Sequence, residues 1–237
     1  MYYYYDSSYM IFIILLMITM GFAMYAQNLV HSRYETYKQM HTKNGMTGEQ
    51  AARKVLDANG LYSIPVECVN GKLSDHYDPR RNVVRLSEEV YYGDSVASVG
   101  IACHEVGHAI QYNTNYAPIH IRAAIIPITN IGASISPILI MIGIIISSLN
   151  VLAWFGLILY SFSTLFQLIT LPVEVNASSR ALDTIQQMHL LETTEEYTGA
   201  KKVLTAAALT YVAALATSLV YLFRMVMMVL SNTNRDD

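Results

Sequence analysis

Between Ala123 and Leu171 the chain carries no charged side chain. A helix rises about 1.5 Å per residue, so roughly 20 apolar residues cross a bilayer. This run is far too long for one crossing and is interrupted near Ser147-Ser148-Leu149-Asn150. It reads as a helical hairpin with a very short turn, crossing over 123–148 and again over 149–172. Two further segments read as crossings, 9–26 and 203–230. The first is uncharged and lacks the positive n-region and small-residue cleavage site of a signal peptide, so it reads as an uncleaved anchor. The last carries only Arg224, close enough to its far end to snorkel. Of all residues, 53% are hydrophobic and 14% charged, against roughly 25% charged in soluble domains.

Orientation follows from the loops. Residues 1–8 contain no Lys or Arg, whereas Arg33, Lys38, Lys43, Arg53 and Lys54 follow the first crossing. Arg122, Arg180, Lys201 and Lys202 flank the base of the uncharged hairpin turn. Of the 15 basic residues, all but Arg224 and Arg235 fall in 31–122 or 173–202. The positive-inside tendency therefore places 27–122 and 173–202 in the cytoplasm, and the N-terminal residues 1–8 and the tail 231–237 outside. Tyr2 to Tyr5 and Tyr9 suit a membrane interface. The expected fold is a mainly α, multi-pass cell-membrane protein with about four transmembrane helices and a small α+β cytoplasmic subdomain. A net charge of −3 provides no basic surface for nucleic acid, and no Walker-type or dinucleotide glycine pattern occurs.

The polar region 27–122 is large enough for a small core. Thr47-Gly48-Glu49-Gln50 is a capping box leading into Ala51, Ala52, Val55 and Leu56, and Gly60 ends that helix. Ile64 to Val69 and Asn82 to Leu86 are β-branched runs separated by Asn70-Gly71 and Asp78-Pro79, which predicts a small sheet. Asn82 to Leu86 is expected to be an edge strand able to pair with an extended peptide. Ser95 caps a further helix that runs to Gln111, before Asn113, Thr114 and Asn115 break it.

That last helix contains His104-Glu105-Val106-Gly107-His108. Two histidines four residues apart stack on one helix face, so both imidazoles can reach one metal ion. Glu105 is turned roughly 100° away, beside the metal. This is the equipment of a zinc hydrolase. A third ligand is required. The branch with a third histidine at H-E-x-x-H-x-x-G-x-x-H is excluded, because Gln111 and Thr114 hold those positions. The other branch takes a glutamate from a later helix, and Glu174 is the candidate, at the cytoplasmic foot of the hairpin. An even number of crossings between His108 and Glu174 returns the chain to the same face. A carboxylate so near an apolar helix end calls for a cation or a partner.

His189 and Arg180 are the candidates to stabilise a developing oxyanion. His76 and His120 read as loop or interface residues, and Cys103 as a packed, reduced thiol; Cys68 belongs to no disulfide framework. The expected chemistry is peptide hydrolysis, with a metal-activated water and Glu105 as general base.

Asp78-Pro79 to Ser87, His104 to Gln111, and Leu171-Pro172-Val173-Glu174-Val175-Asn176-Ala177-Ser178 resemble the YugP-type neutral zinc metallopeptidases of bacterial membranes. With the order of apolar segments, the likeness covers nearly the whole chain. It implies a membrane-embedded gluzincin with a zincin-like subdomain, Zn2+ on His104, His108 and Glu174, Glu105 catalytic, and a polypeptide substrate. The chain is also similar to the HtpX-like membrane proteases, whose later helix reads Glu-x-x-Ala-Asp; by analogy that suggests membrane-protein quality control. Here Ser178 stands in place of the Asp, which leaves open what orients the histidines. The rival readings are an intramembrane zinc protease, opposed by the short apolar run around the signature, and a non-catalytic metal-binding membrane protein.

Overall fold

A computed structural model describes residues 7–236. The expectations for the tyrosines Tyr2 to Tyr5 and for an extracytoplasmic segment fall, up to residue 6, outside the described residues. The fold is mainly helical. In chain order the elements are α1 (Ser7–Lys38), α2 (Gly48–Ala58), β1 (Val66–Val69), β2 (His76–Asp78), β3 (Val83–Ser87), the single turn α3 (Glu88–Tyr91), α4 (Val96–Asn113) and α5 (Ala117–Ile145). A 3-10 turn at Ser147–Leu149 separates α5 from α6 (Asn150–Gln187), and α7 (Thr194–Asp236) follows. Four of these helices, α1, α5, α6 and α7, are long and apolar enough to cross a membrane.

The chain divides into two compact units. One comprises the residues up to Tyr25, Ile121–Leu171, and Thr210 onward. Here apolar side chains face outward, Ile131, Ile138, Phe155 and Ile158 among them. Small residues let the helix backbones approach. A Cβ on Gly132 would lie 2.6 Å from the Leu159 carbonyl oxygen. Ser218 Oγ on α7 donates to Thr164 Oγ1 on α6 at 2.8 Å. The Arg224 guanidinium, expected to snorkel, lies 5.2 Å from the Tyr9 ring centroid and 5.7 Å from that of Phe12.

The other unit, Ala26–His120 with Pro172–Leu209, contains a continuous core around Leu56, Leu86, Val90, Val99, Val106 and Ile185. Its helices start where their capping chemistry dictates. Thr47 and Gln50 make a reciprocal capping box, and Gly60 takes a left-handed φ of 72° just past the end of α2. Ser95 Oγ accepts the Ser98 amide at the start of α4.

The sheet order is β1-β3-β2, with β1 parallel and β2 antiparallel to β3. The segment expected to be an edge strand is therefore the central one. Its composition explains this: Val83, Val84 and Leu86 are buried, and Arg85 bridges Glu67 on β1 and Asp78 on β2 at 3.2 and 3.0 Å. The edges are β1 and β2, the latter a three-residue strand with little β propensity of its own.

A candidate metal centre on two helices

Within the second unit, α4 presents His104 and His108 one turn apart, and α6 presents Glu174. The approach of the two helices depends on Gly107. A Cβ there would lie 2.7 Å from the Ala177 carbonyl oxygen and 3.2 Å from its Cα, so only glycine lets the backbones come this close. Ala177 is the residue three beyond Glu174, on the adjacent turn of α6. The close packing thus brings the carboxylate to the histidines.

Glu174 Oε2 lies 3.3 Å from His104 Nε2 and 3.5 Å from His108 Nε2. One ligand atom from each of the three residues falls within 4.8 Å of the others. Glu174 is 3% exposed and both histidines are mostly buried. The far ring nitrogens are engaged: His104 Nδ1 with Ser178 Oγ at 3.1 Å, and His108 Nδ1 with Gln111 Oε1 at 3.0 Å. Both Nε2 atoms therefore converge on the carboxylate, supported from behind as metal-binding imidazoles are. Burial alone would lower the proton affinity of His108, but the hydrogen bond with Glu174 and the charges of Glu105 and Glu174 outweigh it and raise its pKa. The cluster thus attracts positive charge. Two nitrogens and one carboxylate oxygen are the protein donor set of a catalytic zinc site with a position left open, and the residues fit such an ion.

Glu105 lies on the same turn and is largely buried. Its Oε2 accepts the Tyr77 backbone N–H at 3.1 Å, which ties the signature helix to the edge strand β2. Nearby, Asp75 accepts from the Ser87 amide at 2.7 Å and from its hydroxyl at 3.0 Å. Burial raises the Asp75 pKa more than these bonds lower it, and the Glu105 charge adds to the rise.

The remaining expected residues are placed unequally. Arg180 is attached to the cluster through Asn176, to whose Oδ1 its Nε donates at 2.8 Å, and its guanidinium lies 6.0 Å from the Tyr116 ring centroid. His189 is not brought to the cluster. It sits roughly four helical turns beyond Glu174, exposed, with a φ of 50°. The Leu190 amide donates to the Ile185 carbonyl across it, so His189 is the left-handed residue that terminates α6. His76 is exposed on β2, and His120 stacks edge-on to Tyr112 at 5.1 Å. Cys103 is fully buried and desolvation pushes its thiol pKa up to about 12, whereas Cys68 is exposed. Sequence reasoning missed the contacts of Gln111, Asn176 and Tyr77. For Gln111 there was a signal: three residues past His108, it shares that helix face.

Four helices long and apolar enough to cross a membrane, together with a two-histidine, one-glutamate cluster that could hold a metal ion, mark the class of protein. Residues 11–230 match the family described as "Putative neutral zinc metallopeptidase", and the chain belongs to that family. It is 47% identical over 227 residues to the "Putative membrane protease YugP" of Bacillus subtilis (strain 168), covering 96% of this chain and 100% of that protein. No solved structure matches the chain.

Proposed function

We propose that this protein is an integral-membrane zinc endopeptidase in which His104, His108 and Glu174 hold the metal and Glu105 is the general base. The observation that carries the reading is the convergence of both Nε2 atoms on a buried carboxylate from another helix. When bound, zinc supplies a Lewis acid that polarises a peptide carbonyl and acidifies water toward neutrality. Glu105 takes the proton from the attacking water and delivers it to the leaving amine. Its Oε2 is held by the Tyr77 amide, which leaves Oε1 for that transfer. With β3 interior, an extended polypeptide pairs along β2, the sheet edge already linked to Glu105. α4, α6 and this sheet then form a zincin-like subdomain of the gluzincin kind.

The positive-inside pattern supports a cytoplasmic site, and membrane or misfolded polypeptides reaching that face are the substrates we infer. The signature helix α4 is not one of the four helices apolar enough to span, which favours a site outside the bilayer over an intramembrane one. Of the two candidate oxyanion stabilisers, Arg180 is linked to the cluster and His189 is not. Metal analysis and casein hydrolysis on purified wild type beside Glu105→Gln test the assignment. The variant is expected to keep a full equivalent of zinc and lose hydrolysis. Equal activity in the two proteins would remove Glu105 from the mechanism.

A further inference from the structure

Behind the candidate ligands lies a polar chain, buried at Gln111, whose donors and acceptors can be ordered in only one way. Arg180 can only donate, and its Nε–H donates to Asn176 Oδ1 at 2.8 Å. That bond fixes the Asn176 amide with its oxygen available to Gln111. Gln111 Nε2 donates to this oxygen at 3.0 Å and to the Val173 carbonyl at 2.8 Å, so both of its N–H groups are used. A flipped Gln111 would set its own oxygen against two acceptors. Its Oε1 is therefore directed the other way, 3.0 Å from His108 Nδ1. An amide oxygen only accepts, so Nδ1 must carry the hydrogen, and in the neutral ring, the form that binds a metal, the lone pair is then left on Nε2, the atom facing Glu174. Gln111 is 0% exposed, so solvent does not reach its side chain to replace the partners it holds. Ser178, behind His104, can either donate or accept and imposes no such order.

We propose that Gln111, oriented by Arg180 through Asn176, is a positioning residue that locks His108 in its Nδ1–H form and so presents Nε2 to the metal. This rests on the zinc reading above, and it gives Arg180 a role in orientation rather than at the oxyanion. In the terms set by the missing Asp at position 178, the orienting group for the second histidine comes from the signature helix itself.

Two measurements on the purified full-length protein test it. The first is the nitrogen spectrum of isotope-labelled histidine in metal-free wild type at alkaline pH, which reports the tautomer of His108 without any substitution. A single Nδ1–H form is expected, and a mixture, or an Nε2–H form, overturns the proposal. The second is zinc affinity by competition with a chromogenic chelator. Gln111→Met, similar in size but without the acceptor, should bind roughly 10- to 100-fold more weakly and show His108 in mixed tautomers. Wild-type affinity in Gln111→Met, or a single Nδ1–H form of His108 in that variant, overturns the proposal. Absence of zinc binding by the wild type would instead sink the zinc reading, while the metal-free spectrum would still decide what Gln111 does.

Discussion

Glu174 sits where an isolated carboxylate would be unstable: 3% exposed, on a helix whose earlier turns are uncharged and apolar. Its tolerance there comes from the two imidazoles and from the cation they would share. Glu174→Ala is therefore expected to lose most of its bound zinc while the helices stay folded. Metal analysis alongside circular dichroism checks both halves, and a full equivalent of zinc in the variant would move the third ligand elsewhere. Asp75 is the opposite case, a half-buried carboxylate held by hydrogen bonds from Ser87, with no ion pair to a cation among the described residues. Its folded-state pKa is raised, so ionisation opposes folding. That penalty is complete above the folded pKa and disappears as pH falls below the unfolded value. Asp75→Asn, which can still accept from the Ser87 amide, should raise the unfolding temperature at neutral pH. The gain should vanish in acid; a gain that persists there would point to packing rather than charge.

The approach of α4 to α6 at Gly107 decides whether the two halves of the site meet. Gly107→Ala would place a methyl group 2.7 Å from a backbone oxygen that cannot swing aside. Overpacking of this kind costs about 1–3 kcal/mol, and relief by separating the helices would draw Glu174 away from His104 and His108. Loss of zinc affinity together with a lower unfolding temperature is the expected result; unchanged metal binding would show that the helices can yield without disturbing the cluster. How far such elements could be read from the sequence follows from how local their causes are. The Thr47 box, the Ser95 cap and the i, i+4 histidines are set by neighbours within one turn, and each was legible. Equally local but overlooked was the start of α7, where Thr193 and Glu196 bond each other's backbone amides at 2.8 and 3.1 Å. β2 was not legible, because its three residues are held by pairing with β3 and by the Tyr77–Glu105 bond rather than by propensity. The same holds for the central place of β3, which depends on Arg85 meeting carboxylates from both flanking strands. The Asn176–Gln111 contact needs two helices far apart in sequence and has no local signature.

At the scale of the whole molecule, the open matter of chemistry is which side of the membrane the cluster serves. Thirteen of the 15 basic residues lie in 31–122 or 173–202, the same stretches that supply His104, Glu105, His108 and Glu174. Each Lys or Arg near the surface of an anionic inner leaflet contributes about 1 kcal/mol, so this asymmetry favours a cytoplasmic position for the site. The chain has a built-in reporter for it. Cys68 is exposed on β1, within the site-bearing unit, while Cys103 is 0% exposed and its thiol is held in the unreactive protonated form. A membrane-impermeant maleimide should leave Cys68 unmodified on intact cells and label it in inverted vesicles, with Cys103 silent in both until the protein is denatured. Cys68→Ser should abolish the vesicle signal, which ties the label to that residue. Labelling of Cys68 from outside intact cells would reverse the orientation, and the polypeptides available to the site would then be those of the extracytoplasmic face.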